Sequence, residues 1–310
     1  THIEIGRNMN ATPNQYLSKS AFRDTTTINY LSANIPNPFS GLVPTGTFLS
    51  NATIARERLL RPFPQFDAVN TTNNDGYSWY HSLQVNLEKR FSQGYTFQAA
   101  YTFSKFMEAT GYLNGADPLP TEMISDMDRP HRFASSGIFE LPFGKGKRFL
   151  SDTPTVASFI VSGWQVSAIY QFQSGPPLGN FGNIVFTGNI DDIRLPRGQQ
   201  TLAKWINTSA GFLNPNGALA SNVRTFPFRF SNVRGDKINN WDIGIIKKTR
   251  FGEGKKEFQY RAEFLNAFNH PLLFTTAVNL DPANAGFGSV TAGTQGNYAR
   301  RIQMTFKFLF

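Results

Sequence analysis

The sequence predicts an all-β fold, an antiparallel segment of a transmembrane β-barrel with about eight strands. The first observation is a strict alternation of apolar and polar residues over 298–310, at the very end of the chain. A segment of about 9–11 residues is the length that a tilted membrane-spanning strand requires. An ordinary half-buried edge strand of a soluble domain is the alternative for this segment. One face would carry Tyr298, Arg300, Ile302, Met304, Phe306, Phe308 and Phe310, and the other Arg301, Gln303, Thr305 and Lys307.

The second observation is a composition that is aromatic-rich and charge-poor. The chain of 310 residues has 30 Phe and only 16% charged residues, against roughly 25% in an average soluble domain. No segment approaches 18 consecutive apolar residues, so we expect any insertion into a membrane to be through strands.

Charge and cysteine content narrow the choice of partners. The net charge is +9, but the basic residues do not form the stripe that nucleic-acid binding would need. We therefore expect no nucleic-acid partner and interpret the basic residues as anchors at a membrane interface. The chain has no cysteine, which excludes disulfides and cysteine-ligated metals, and we predict no cofactor. The anchoring residues are Lys145, Lys147, Arg148, Lys247, Lys248, Lys255 and Lys256.

Alternation and turn signals divide the chain into strands and connections. Phe97 and Ile243 are among the residues predicted to face lipid, whereas Gln98 is predicted to face water. We expect the polar run 70–76 to be a loop and 199–206 to be a short helix. The opening strand, 1–6, would span about 20 Å, too little to cross a bilayer, so we expect the chain to be a fragment that begins within a strand. Strands are predicted at 1–6, 78–91, 94–104, 132–143, 164–173, 240–251, 258–268 and 298–310.

The lengths of the connections agree with an outer-membrane barrel, in which short turns lie in the periplasm and long loops outside. With the C-terminus placed in the periplasm, every longer connection falls outside and every shorter one inside. The predicted loops are 7–77, 105–131, 175–237 and 269–297, and the predicted turns are 92–94, 144–162 and 252–256.

Few residues have a spacing that suggests catalysis or metal binding. Asp126, Asp128 and His131 are close in sequence, but their spacing matches neither a helical metal pair nor a calcium loop, and turn residues are the better interpretation. The basic turns GKGKR (144–148) and GEGKK (252–256) lack the spacing of a phosphate loop. We expect no enzymatic activity. Arg261, Glu263 and Arg301 would face the barrel lumen, as a charge ladder or as contacts to a substrate.

Several motifs together resemble the barrel of TonB-dependent outer-membrane receptors of the Oar-like type, which carry a carboxypeptidase-regulatory-like N-terminal module. The resemblance covers about residue 58 to the end and is carried by motifs in family order. These are YHSLQ (80–84), EKRF (88–91), YTFSK (101–105), DRPHR (128–132), LPFGKGK (141–147), GWQ (163–165), SGP (174–176), RAEFLNAFNHP (261–271) and RIQMTFKF (301–308).

The resemblance implies a barrel of 22 strands around a plug, of which residues 1–310 would be the C-terminal portion. The plug, which would connect to the TonB complex, and the N-terminal module would lie upstream. The resemblance further implies that Phe306, Phe308 and Phe310 are an assembly signal for the barrel-assembly machinery. The expected partners are outer-membrane lipid, that machinery, the TonB complex and an unknown extracellular substrate, in the outer membrane of a Gram-negative bacterium.

Two other functions stay open on the sequence. A small closed eight-stranded barrel could act as a structural or adhesive protein of the outer membrane, since even strand counts from eight upward can close. A secreted soluble β-domain that binds carbohydrate would also use alternating strands.

Overall fold

The computed structural model describes residues 2–42, 48–179, 181–213, 219–251, 256–273, 278–290 and 295–310. The predicted turn at 252–256 lies outside these residues except for Lys256. Within the described residues the α-helices are α1 (Thr25–Ser32), α2 (Arg56–Leu59) and α3 (Thr155–Val161). The strands are β1 (His2–Asn8), β2 (Asn34–Pro36), β3 (Thr53–Ala55), β4 (Asn70–Ser92), β5 (Tyr95–Ala109), β6 (Met123–Ile124), β7 (His131–Glu140), β8 (Trp164–Gln173), β9 (Pro177–Gly179), β10 (Arg229–Arg234), β11 (Ile238–Phe251), β12 (Lys256–Leu265) and β13 (Arg301–Leu309).

Eight of these strands form one antiparallel path in the order β1-β4-β5-β7-β8-β11-β12-β13, and β6 joins the same sheet through β5. Each of the eight coincides with a strand predicted from the alternation. Over the described residues β1 and β13 each pair on one side only, so the sheet is open and not a closed barrel.

The strand register places the apolar residues on one face. Partners directly opposite each other in an antiparallel pair point to the same side. Leu83 lies opposite Phe103, and Tyr260 lies opposite Phe306. These side chains are exposed, with 61% of Leu83 and 67% of Phe306 accessible. We call this side the lipid face, because a broad exposed apolar surface on a soluble sheet would be covered by a second layer.

The opposite side, the polar face, curls around a cavity. This cavity of about 370 Å³ is lined by residues of β5, β7, β8, β11 and β12, including Thr96, Ser136 and Arg261. Five neighbouring strands can line one cavity of this size only if the sheet bends toward them. The polar face is therefore the inside of the curve, as a barrel lumen requires.

The connections fall at two ends of the sheet. We call the end with residues 9–69, 110–130, 174–237 and 266–300 the long-loop end, and the end with 93–94, 141–163 and 252–255 the short-turn end. With the observed strand bounds, the connections at the long-loop end are not all longer than those at the short-turn end, because connection 110–130 is slightly shorter than 141–163. β5 and α3 account for this difference, since β5 extends to Ala109 and α3 occupies part of 141–163.

The largest buried cluster lies at the long-loop end rather than within the sheet. Phe181 stacks on Phe212, with ring centroids 5.6 Å apart, and meets Phe226 edge-on at 5.8 Å. The described residues of the connections 174–237 and 266–300 thus form a packed layer, which we call the loop layer. Its buried residues are Leu178, Phe181, Ile193, Trp205, Ile206, Ala210, Phe226, Phe230, Val233, Val278 and Val290.

Two sequence predictions were wrong. Residues 70–76 are not a loop, because β4 begins at Asn70 and pairs with β1 as far as Asn8. A polar run can form a strand where a neighbouring strand satisfies its backbone. Residues 199–206 are not a helix, since only a short 3-10 turn, Arg197–Gln199, is present. Trp205 and Ile206 instead belong to the cluster of the loop layer.

The helices are short and lie in the connections. Asp24 caps α1 by accepting a hydrogen bond from the Thr27 backbone N–H at 3.0 Å. Hydrogen bonds from the side chain and backbone of Thr27 and from Ser18 lower the pKa of Asp24 to about 2. Among the described residues, no helix has the length and hydropathy that crossing a membrane requires.

Candidate solute-binding cavity

A cavity of about 670 Å³ opens toward the polar face at the long-loop end. Its floor is formed by polar-face residues of β8 and β11, among them Gln171, Asn240 and Asp242. The loop layer forms the remaining walls, through Trp205 on one side and residues 270–273 on the other. The cavity therefore lies between the loops and the inside of the curved sheet.

Asn266 joins two walls of this cavity. Its side-chain amide donates to the carbonyl oxygens of His270 at 3.1 Å and Tyr298 at 2.9 Å, and its Oδ1 accepts from the His270 N–H at 2.9 Å. Its φ is +50°, in the left-handed region that Asn tolerates better than most residues. The buried Asn266 therefore fixes the path that leads from β12 to β13.

Two aspartates order the backbone around the cavity. Asp242 accepts hydrogen bonds from the Asn240 side chain at 3.0 Å and the Asn266 N–H at 2.8 Å. Asp236 accepts from the N–H groups of Lys237 at 2.8 Å and Leu273 at 3.1 Å. Because both carboxylates already accept protein hydrogen bonds, they act first as supports of the walls.

Cations and aromatic rings complete the lining. The Arg301 guanidinium lies 3.6 Å from the ring centroid of Tyr298, and the Lys237 ammonium lies 5.0 Å from that of Phe172. Burial and the nearby Arg197 lower the pKa of Lys237, and Asp236 opposes this change. A wall of amides, aromatic rings and cations is suited to a polar solute that has some apolar surface, rather than to a wholly apolar solute.

The predicted lumenal residues occupy two different places on the polar face. Arg261 and Glu263 form an ion pair at 2.7 Å and line the cavity of about 370 Å³ deeper along the sheet. Arg301 lies opposite Leu265 and lines the larger cavity. A role for any of the three in contacting a substrate stays a prediction.

The predicted assembly residues lie on or beyond the last strand. Phe306 and Phe308 are on the lipid face, opposite Tyr260 and Phe258. Phe310 follows the end of β13 and is 95% exposed. Their recognition by an assembly partner stays a prediction.

Asp126, Asp128 and His131 are not brought together. The Asp128 carboxylate accepts from the Phe106 N–H at 2.7 Å and pairs with Arg234 at 2.7 Å. His131 Nδ1 is hydrogen-bonded to the Tyr101 hydroxyl at 2.8 Å. In the part of the chain that the structure describes, no group of three acidic, histidine or cysteine side chains has metal-binding geometry.

Two ion pairs that hold the loop layer, one with a buried carboxylate and one partly buried, were missed by sequence reasoning. Arg234 of β10 pairs with Asp128, and Arg229 of the same strand pairs with Glu108 of β5 at 2.7 Å. The partners are separated by more than 100 positions in sequence, so no local pattern marks them. The DRPHR motif contains Asp128, but only the fold supplies its partner.

The comparisons with known proteins agree with this architecture. No curated protein and no solved structure matches the chain significantly. A family model described as outer membrane beta barrel domain matches residues 1–303. The antiparallel sheet, with its lipid face and its curved polar face, agrees with such a domain, but over the described residues it is not closed. The chain belongs to the outer membrane beta barrel domain family and is a protein of the outer membrane of Gram-negative bacteria.

Proposed function

We propose that this chain forms part of the wall of a TonB-dependent receptor of the Oar-like type, which imports a polar solute across the outer membrane. The observation that carries the proposal is the cavity of about 670 Å³ between the loop layer and the polar face. A receptor must hold its solute at the entrance of the lumen before a plug moves. The cavity lies where a solute could pass from the loops to the inside of the curve.

The open sheet supports a barrel larger than eight strands. Over the described residues, the outer edges of β1 and β13 carry unpaired backbone groups. Lipid cannot satisfy such groups, so each edge needs a partner strand, and in the proposal these partners are further strands of the same barrel. In the proposal the complete barrel has 22 strands and surrounds a plug coupled to the TonB complex. The long-loop end faces the outside, and the short-turn end faces the periplasm.

The loop layer also supports capture of a solute rather than its free diffusion through a pore. A packed aromatic cluster and two partly buried ion pairs hold the loops over the polar face. A passive pore would need no such fixed cover. In the proposal, Asn240, Arg301 and Lys237 contact the solute, and the aspartates keep the walls in place.

Solute removal from growth medium tests the receptor. Cells that carry the intact protein should deplete at least one solute in an untargeted mass-spectrometric comparison of the medium. Asn240→Trp, which fills the cavity floor, should abolish this depletion, and so should loss of the inner-membrane energy supply. Asn51→Trp is the matched control, because Asn51 is exposed and does not line the described cavities. Depletion that continues without energy supply would contradict TonB dependence.

A closed eight-stranded structural or adhesive barrel is the second candidate, favoured by the count of eight strands in the path. Because the chain lacks cysteine, engineered pairs distinguish the two. Ile3→Cys, on the polar face opposite Gly76, is combined in turn with Gln303→Cys, Thr305→Cys or Lys307→Cys and treated with a short bismaleimide. Gln259→Cys with Lys307→Cys, which face each other across β12 and β13, is the positive control. Cross-linking of β1 to β13 would favour the small barrel, and cross-linking of the control alone favours the large one.

A further inference from the structure

The connection between β7 and β8, residues 141–163, exposes apolar and basic side chains together at the short-turn end. It includes α3 and the basic turn 144–148. Its exposed apolar residues are Phe143, Phe149, Leu150, Val156, Phe159 and Ile160, and its exposed basic residues are Lys145, Lys147 and Arg148. A connection that only reversed the chain would need neither set.

Two contacts place the end of α3 beside the lipid face. The indole N–H of Trp164 donates to the carbonyl oxygen of Ile160 at 2.7 Å. The Lys247 ammonium donates to the carbonyl oxygen of Ser162. Trp164 and Lys247 lie opposite each other in the β8–β11 register, on the lipid face. The apolar residues of α3 therefore continue the surface that contacts lipid.

A cavity of about 770 Å³ lies between this connection and the ends of β7, β8 and β11. More cationic than acidic side chains line this cavity. Glu140 pairs with Lys147 at 2.7 Å, and Arg250 pairs with Glu257 at 2.8 Å. Its cationic lining residues are Lys145, Lys147, Lys247, Lys248 and Arg250, and its acidic lining residues are Glu140 and Asp152.

Positive charge remains after these pairs are counted. Among the described residues, neither Lys145 nor Lys248 forms a direct ion pair, and Lys248 interacts with Glu140 at longer range. The Lys145 N–H donates to the Ser162 hydroxyl at 3.2 Å, and the Lys248 N–H donates to the Gly163 carbonyl at 2.9 Å. The backbone of both residues is thus held against the same segment, and both residues line this cavity.

We propose that this cavity binds the phosphate-bearing headgroup of an anionic phospholipid. Lys145 and the polar-face Lys248 contact the phosphate at the edge of the sheet, because Lys248 lies beyond the first residue of β8. The acyl chains pass Phe159 and Ile160 to the lipid face. Unbalanced positive charge matches the headgroup, and continuity with the lipid face matches the chains. The choice of phospholipid rests on the proposed orientation, which puts the short-turn end in the periplasmic leaflet.

The first measurement uses the intact chain and two lipids. The protein is equilibrated in mixed micelles with equal amounts of phosphatidylglycerol and phosphatidylcholine, recovered, and its retained lipid is quantified by mass spectrometry. We expect phosphatidylglycerol to be retained preferentially. The preference should fall when the salt concentration rises from about 0.05 to about 0.5 M, because salt screens charges at the surface.

The second measurement compares two double variants with the same change in net charge. Lys145→Gln with Lys248→Gln should lower the preference by about fivefold or more, since each cation near an anionic lipid surface contributes on this scale. Lys19→Gln with Lys204→Gln, which changes two exposed lysines at the long-loop end, should leave the preference unchanged.

Two outcomes would overturn the proposal. They are equal retention of the two lipids by the intact chain and equal losses in the two double variants. The intact-chain measurement decides the matter even if a variant does not fold. Because no transport is measured, the lipid site and the receptor function can fail separately.

Discussion

The carboxylate of Asp128 lies 2.7 Å from the guanidinium of Arg234, and only 1% of the Asp128 side chain is exposed. The pair links the turn before β7 to β10 in the loop layer. Arg234 also donates to the carbonyl oxygen of Gly175 at 3.1 Å. One ion pair therefore connects three segments that meet above the sheet.

Asp128→Asn is expected to loosen this junction. The amide keeps an oxygen that can accept from the Phe106 N–H but leaves the charge of Arg234 without its partner. Removing one member of a buried pair costs about 3 kcal/mol. A urea titration in detergent micelles would measure the free energy of unfolding, and limited proteolysis should cleave 174–237 faster. Arg90→Gln is the control, because Arg90 is 94% exposed and 4.0 Å from Glu88, and it should cost less than about 1 kcal/mol. Equal costs would contradict a role in holding the loops.

The two faces of the sheet predict opposite responses to a new charge. Ile243 lies on the lipid face near the middle of β11, so Ile243→Arg should cost about 2–4 kcal/mol. Phe97 is on the same face but near the start of β5, so Phe97→Arg should cost less. Gln98→Arg, on the polar face, should be tolerated. The folded fraction in lipid vesicles along a urea titration measures all three, and similar losses for Ile243→Arg and Gln98→Arg would contradict the two faces.

Asn266 combines side-chain hydrogen bonds with a positive φ, and two variants separate these contributions. Asn266→Gly keeps the backbone conformation and loses the amide, whereas Asn266→Ala loses both. We expect Asn266→Ala to be less stable than Asn266→Gly by about 1–2 kcal/mol, the cost of a left-handed conformation for a residue with a Cβ. Urea titrations of the two variants give this difference directly. If they are equally stable, the backbone conformation at residue 266 does not constrain the wall of the cavity.

Two glycines of the β7–β8 connection offer a matched test of its packing. Gly163 has φ +76° and Gly146 has φ +74°. A Cβ at Gly163 would overlap the carbonyl oxygen of Lys248, whereas a Cβ at Gly146 would meet nothing within 4 Å. Gly146→Ala should therefore cost about 1–2 kcal/mol of backbone strain, and Gly163→Ala should cost clearly more. Thermal unfolding in micelles compares them, and equal shifts would mean that the connection does not pack against β11.

Phe310 tests the proposed assembly signal. It lies beyond β13 and is 95% exposed, so Phe310→Ala should leave refolding into lipid vesicles almost unchanged. Insertion in cells should fall several-fold if the assembly machinery reads the terminal aromatic residue. Phe268→Ala, at an exposed phenylalanine outside the strands, is the control. A parallel loss in vesicles and in cells would point to folding rather than recognition.

The sequence by itself determined the spanning strands and their two faces. Alternation is a local property, and for a strand such as Arg301–Leu309 it reports directly which side chains meet lipid and which meet water. The extension of β4 to Asn70 could not be predicted from the sequence, because this polar run becomes a strand only when β1 supplies its hydrogen bonds. The same limit explains why Trp205 and Ile206, expected in a helix, lie in a cluster built from distant segments.

The tertiary structure alone decided where the candidate site lies. The cavity, the Asn266 junction and the Asp128–Arg234 pair all join residues far apart in sequence, and no local spacing records such contacts. Arg301, Arg261 and Glu263 were assigned correctly to the polar side of their strands by periodicity, but only the fold separates them into two cavities. The alternation of apolar and polar residues specifies which face of the sheet a side chain takes. The depth and the neighbours of that side chain depend on how the loops pack over the sheet.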